Sequence, residues 1–205
     1  VTFDPARHRR RSLRLRGYDY AQAGAYFVTI CTQGRECLFG EVADGEMRQN
    51  DAGRIIELVW NEMPVFYHGV DIDGFVVMPN HVHGILILVG ATPRGRPGAG
   101  QARGPAPTGH EPAPTLSVPD LVQRFKTLTT KRYADGVQQS GWPPFPGRLW
   151  QGNYYEHIIR DEDSLKRIRE YIANNPLQWA LDRENPHPTP ALGEPRLPRD
   201  EPWRT

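Results

Sequence analysis

Apolar positions along the chain follow two periods, and the changes from one to the other outline the elements. Residues 25–32, Ala-Tyr-Phe-Val-Thr-Ile-Cys-Thr, are β-branched and aromatic and predict a central strand. Residues 35–42 and 46–48 predict a short hairpin around Asp44-Gly45, a pair favoured in tight turns. Asn50 is placed to cap a helix running to about residue 67, because Ile55, Ile56, Val59, Met63 and Phe66 recur at helical spacing and form a stripe for the sheet. Residues 70–78 and 81–89 read as two adjacent strands joined through Pro79-Asn80. Ser117 with Asp120 three residues on marks a second helix start, with Leu121, Phe125 and Leu128 as its buried face and a Gly/Pro-rich connection beyond Gly136. Residues 148–160 carry another strand, and Asp161 caps a last helix over 162–174 whose core stripe is Leu165, Ile168 and Ile172. Pro176 is expected to end that helix at Asn175, since a residue before proline avoids the helical region. This order of strands, hairpins and helices predicts an α+β fold with helices on one face of an antiparallel sheet.

Composition divides the chain. Residues 18–185 are long enough to bury roughly two thirds of their unfolded surface as one domain without a disulfide or structural metal. Residues 90–114 change abruptly to Gly, Pro, Ala and scattered Arg, without a hydrophobic period, and read as a disordered insertion; 186–205 read as a disordered proline-rich tail. Cys31 and Cys37 lack CxxC spacing and fit ordinary packing in a reducing compartment. No secretory h-region and no run of membrane-spanning length is present, so the expected location is cytoplasmic, with no membrane partner.

Net charge is only +1, but it is unevenly distributed. Arg7, Arg9, Arg10, Arg11, Arg14 and Arg16 crowd the arm formed by residues 1–17, opposed there only by Asp4, as in a phosphate-binding segment. Lys126, Lys131 and Arg132 are expected to be mostly exposed on the second helix and to add phosphate contacts.

Two short patterns carry candidate chemistry. In Met-Pro-Asn-His-Val-His-Gly at 78–84, the alternation of a strand turns His81 and His83 to one face, roughly 6.7 Å apart along the strand, where both imidazoles can converge on a cation. Val82, Gly84, Leu86 and Leu88 then face the other way. On the last helix, Tyr171 and Asn175 are one turn apart and share a face. A packed tyrosine and an asparagine cap would produce the same pattern. Together, however, two neutral imidazoles and an amide oxygen make a half-shell for a divalent ion, with a phenol nearby as nucleophile.

The segments Arg10-Arg11-Ser12, 15–20, 26–31, 78–83, 149–160 and Tyr171-Ile-Ala-Asn-Asn175-Pro176 occur in an order that resembles the REP-associated tyrosine transposases. These belong to the HUH single-tyrosine endonucleases with the insertion-sequence-200-like transposase fold. The resemblance implies a ferredoxin-like antiparallel sheet with helices packed on it and the catalytic tyrosine on the C-terminal helix. It also implies Mg²⁺ or Mn²⁺ held by His81, His83 and Asn175, and Tyr171 as the nucleophile. Relatives outside this branch have Gln where Asn175 stands. The implied partner is single-stranded DNA with hairpins formed by REP-like palindromes, bound by a monomer or homodimer.

On that reading, cleavage leaves a 5′-phosphotyrosine and a free 3′-hydroxyl, so the energy of the broken bond is kept for rejoining. A free tyrosine with pKa near 10 is only about 0.1% phenolate at pH 7, a penalty of roughly 4 kcal/mol that a bound metal would help to offset. A non-catalytic regulator that only holds palindromic repeats is the alternative, although a pure binder has no need of His81, His83, Tyr171 and Asn175 together. A water-using metal hydrolase would call for further His and Asp at strand ends.

Overall fold

The structure, a computed structural model, describes residues 17–89 and 116–187. The insertion, the arm with Arg9, Arg10, Arg11, Arg14 and Arg16, and the tail beyond His187 lie outside the described residues.

Strands β1 (Gly24–Cys31), β4 (Val70–Val77), β5 (His81–Leu88) and β6 (Tyr155–Ile159) form one antiparallel sheet in the order β4-β5-β1-β6. Helix α1 (Asp51–Phe66) lies between β1 and β4, and α2 (Val118–Ser140) between β5 and β6. This β-α-β-β-α-β order, with the first strand central and the last at an edge, is the ferredoxin-like topology expected. A separate ribbon, β2 (Gly40–Ala43) paired with β3 (Glu46–Gln49), precedes α1, and α3 (Glu162–Asn174) follows β6.

The sheet is covered on both faces, a departure from the expectation of helices on one. Val28, Ile30, Val82, Leu86 and Leu88 join a core with α1 and α2, whereas Phe27 and Ile85 pack with Ile168 and Ile172 of α3. The reason is the period of two: β1 and β5 are apolar at successive positions, so each has a second face to bury, and α3 supplies the matching stripe.

Local signals set the helix starts as expected. Asn50 accepts a hydrogen bond from the Gly53 amide, Ser117 and Asp120 form a capping box, and Asp161 accepts from the Ser164 amide. Along α1 the buried stripe runs through Ile56, Val59, Trp60 and Met63; Ile55 and Phe66 fall at its edge, and Phe66 is exposed. Helix α2 continues past Gly136, where the missing side chain lets the Trp142 indole pack closely (an ideal Cβ would lie 2.3 Å from it), and the stop falls at left-handed Gly141.

Asn175 departs from the rule for residues preceding proline. Its backbone is helical (φ −58°, ψ −41°), and the chain runs on into a 3₁₀ helix over Pro176–Leu181. That extra turn carries the following segment back over the sheet face lined by the histidines.

Candidate active site

His81 and His83 open β5 opposite Cys31 and Thr29 of β1, and their side chains share the sheet face that α3 covers. Both are buried, and their Nε2 atoms stand 3.0 Å apart. Two nitrogens bound to one ion at about 2.1 Å and at right angles would stand roughly 3.0 Å apart, so the pair has the spacing of neighbouring ligands.

The partners behind each ring determine what its Nε2 offers. Asn80 gives both amide hydrogens away, to the carbonyls of Arg35 (3.0 Å) and Glu184 (2.6 Å). Its Oδ1 must therefore accept from His81 Nδ1 at 2.8 Å, which puts the His81 proton on Nδ1 and leaves Nε2 with a lone pair. His83 Nδ1 meets the Thr29 hydroxyl at 2.8 Å, and that hydroxyl serves either tautomer by turning. Burial lowers the His81 pKa to about 4, against the opposing pull of Glu184 and Asn175. His83 is pushed well below the ordinary imidazole range by burial and then by His81. Both rings are thus neutral at physiological pH, the state a metal ligand requires.

Helix α3 brings the other groups. The Tyr171 hydroxyl lies 3.3 Å from His83 Nε2, with its ring edge-on to both His83 and Phe27. Asn175 is buried, and among the described residues its Oδ1 has no hydrogen-bond donor. A buried amide oxygen left this way is costly unless something positive meets it.

Asp182, which the sequence reading did not select, completes the cluster. Its carboxylate approaches His81 Nε2 at 3.8 Å and accepts from Asn175 Nδ2 at 3.4 Å. Ligand atoms of His81, His83 and Asp182 lie within 4.8 Å of one another, a group able to hold a metal ion. Burial, then the Glu184 charge, raises the Asp182 pKa, while the Glu184 amide opposes the shift. Glu184 itself is tied to Arg35 at 2.9 Å. The donor set, two imidazole nitrogens with carboxylate and amide oxygens, suits a hard or borderline divalent cation.

No protein-family model matches the chain. A Haemophilus influenzae protein, named only as uncharacterized, is 38% identical over 180 residues, which span 86% of this chain and 93% of that protein. The two proteins belong to one family. Among solved structures, a REP-associated tyrosine transposase bound to a REP hairpin aligns over 78% of this chain and 71% of its own, at 17% identity and a TM-score of 0.47. A candidate transposase from Deinococcus radiodurans R1 aligns over 78% of this chain and 95% of its own, at 21% identity and a TM-score of 0.41.

Of the residues selected from sequence, His81, His83, Tyr171 and Asn175 come together. The basic residues of α2 do not join them, because that helix packs on the opposite sheet face. Lys126, expected to be exposed, is buried, and its ammonium donates to the carbonyls of Gln151 (2.9 Å), Gly152 (3.4 Å) and Asn153 (3.2 Å). It holds the loop before β6, and its ammonium also lies over the Tyr154 ring, 5.4 Å from the centroid. Arg132 is half-buried and paired with Glu62 of α1 at 2.7 Å, whereas Lys131 is exposed as expected. Both free cysteines fit the expectation of no disulfide, and no described helix is long and apolar enough to cross a membrane.

Proposed function

We propose that this chain is a metal-dependent single-stranded DNA endonuclease and transposase of the REP-associated tyrosine type, acting on hairpin-forming palindromes. The observation that carries the reading is the convergence of one phenol, two neutral imidazoles and a partnerless amide oxygen, with the Tyr171 hydroxyl 3.3 Å from His83 Nε2 and that atom 3.0 Å from His81 Nε2. The metal would be held by His81, His83 and Asn175, with Asp182 beside them, and when bound it supplies Lewis-acid polarisation of a phosphate oxygen.

The chain's own residues do the rest. Asn80 and Thr29 aim the imidazoles, and Phe27 and His83 fix the Tyr171 ring so that its oxygen faces the cluster. Tyr171 Oη forms a bond to phosphorus as the bond from phosphorus to the 3′-oxygen breaks. The phenol loses a proton and the 3′-oxygen gains one, so no water is consumed. The products are a 5′-phosphotyrosine and a free 3′-hydroxyl, and the reverse attack reseals the strand.

The test is incubation of the protein with labelled single-stranded hairpin DNA and Mg²⁺ or Mn²⁺. A covalent adduct mapping to Tyr171 is expected, and Tyr171→Phe should bind DNA yet form neither adduct nor cleaved product. An adduct on Tyr154 or Tyr155 would overturn the assignment. Tight binding without cleavage by the wild type would favour the regulator reading instead.

A further inference from the structure

Beside the metal-ligand cluster, between the β2–β3 ribbon and the 3₁₀ helix, lies a cleft of about 460 Å³. Its walls include Cys37, Val42, Leu177, Trp179, Ala180 and His187, and no acidic side chain lines it among the described residues. Trp179 belongs to both places: it lines the cleft, and its ring centroid is 6.0 Å from that of His81. Resting on the nuclease reading above, we propose that this cleft is a stacking subsite for one unpaired nucleobase flanking the scissile phosphate.

The wall is built to hold its shape. The Trp179 carbonyl accepts from both the Asp182 amide (3.1 Å) and Asn185 Nδ2 (2.9 Å), and Asn185 Oδ1 in turn accepts from the His187 amide (2.9 Å). Across the cleft, Gly45 lets the ribbon tip close on the 3₁₀ helix, since a Cβ there would lie 2.6 Å from Leu177 Cδ2. Leu177 nevertheless stays 68% exposed, leaving an apolar rim facing solvent.

An unpaired base offers a broad π face with no charge, and the lining offers an indole, small apolar groups and no carboxylate to repel the phosphates on either side. A strand whose phosphate sits at the Tyr171 hydroxyl has its neighbouring base tethered within reach of the only aromatic wall that borders both sites among the described residues. Loss of one base-aromatic stack typically weakens binding roughly 5- to 150-fold.

The experiment uses full-length protein carrying Tyr171→Phe, so that DNA stays uncut, and hairpin single strands with 2-aminopurine substituted one position at a time around the cleavage site. Quenching is expected at one flanking position. Trp179→Ala should relieve it and weaken binding by that factor, and Trp179→Phe should retain most of both. Leu177→Glu, at an exposed position on the rim, should weaken the same contact while Mn²⁺ affinity, measured by calorimetry, is unchanged.

Equal quenching in the Trp179→Ala protein, or none at any flanking position while the wild type still cleaves, would overturn the subsite and leave the nuclease reading standing. A binding loss that tracks lost Mn²⁺ affinity would likewise overturn it, reducing Trp179 to support for His81. Absence of any adduct from the wild type would sink the nuclease reading and the subsite with it.

Discussion

Which nitrogen of each imidazole carries a proton decides what the histidine pair can do; for His81 the neighbouring Asn80 makes that decision, its own amide held by the distant carbonyls of Arg35 and Glu184, while His83 meets Thr29 across the sheet. Thr29→Val keeps the volume behind His83 but removes its hydroxyl partner. Mn²⁺ affinity should fall about 10- to 100-fold, the usual penalty for losing an outer-shell partner, with little change in the far-ultraviolet circular dichroism. His81→Ala and His83→Ala should each abolish cleavage while leaving the fold and most DNA affinity intact; full cleavage by both variants would sink the metal assignment. The pairs His81/His83 and Tyr171/Asn175 were legible in the sequence because each obeys a local period, two in a strand and one helical turn. Asp182 was not, because its role depends on the 3₁₀ turn after Pro176, and no local pattern brings it back to His81. Lys126 misled for the opposite reason: helical spacing does not reveal that three carbonyls wait beside it.

At the level of elements, the site depends on how closely α1 and α3 clasp β5. Gly84, next to His83, permits this on one side, since an ideal Cβ there would lie 2.3 Å from the Trp60 ring. Gly84→Ala should therefore cost about 1–3 kcal/mol through overpacking, read as a lowered urea midpoint. On the other side, α3 is tied to β4 by Arg169, whose Nε lies 3.1 Å from both Asp73 carboxylate oxygens. Hydrogen bonds from Arg169 hold the Asp73 pKa below its ordinary value against the opposing effect of burial. Its stabilisation is therefore complete above the unfolded carboxyl value of about 3.9 and is lost as pH falls through the lower folded value. Because Arg169 is solvent-exposed, the effect is screened: the urea midpoints of Arg169→Gln and wild type should differ slightly at neutral pH and converge in acid. The strands, helix starts and chain order were legible from period and caps. The second covered sheet face was not, because a strand apolar on both sides does not say which helix arrives on each.

For the molecule as a whole, we propose that the arm of residues 1–17 contributes more to DNA affinity than α2, whose Lys126 and Arg132 already have protein partners. Neutralising Arg9, Arg10 and Arg11 should weaken binding at every sequence and flatten its salt dependence by about one unit of slope per lost contact. An unchanged slope in filter-binding or fluorescence titrations would make the arm a solvated tail. On the proposed function, the central place of β1, between β5 and β6, also bears on when a growing chain could first act on DNA. Thr29 is made early, while Tyr171, Asn175 and Asp182 are made more than a hundred residues later, yet all four must meet around His81 and His83. On that reading, a growing chain on the ribosome carries the histidines long before it owns its proposed nucleophile, and a truncated translation product ending before α3 should be unable to cut.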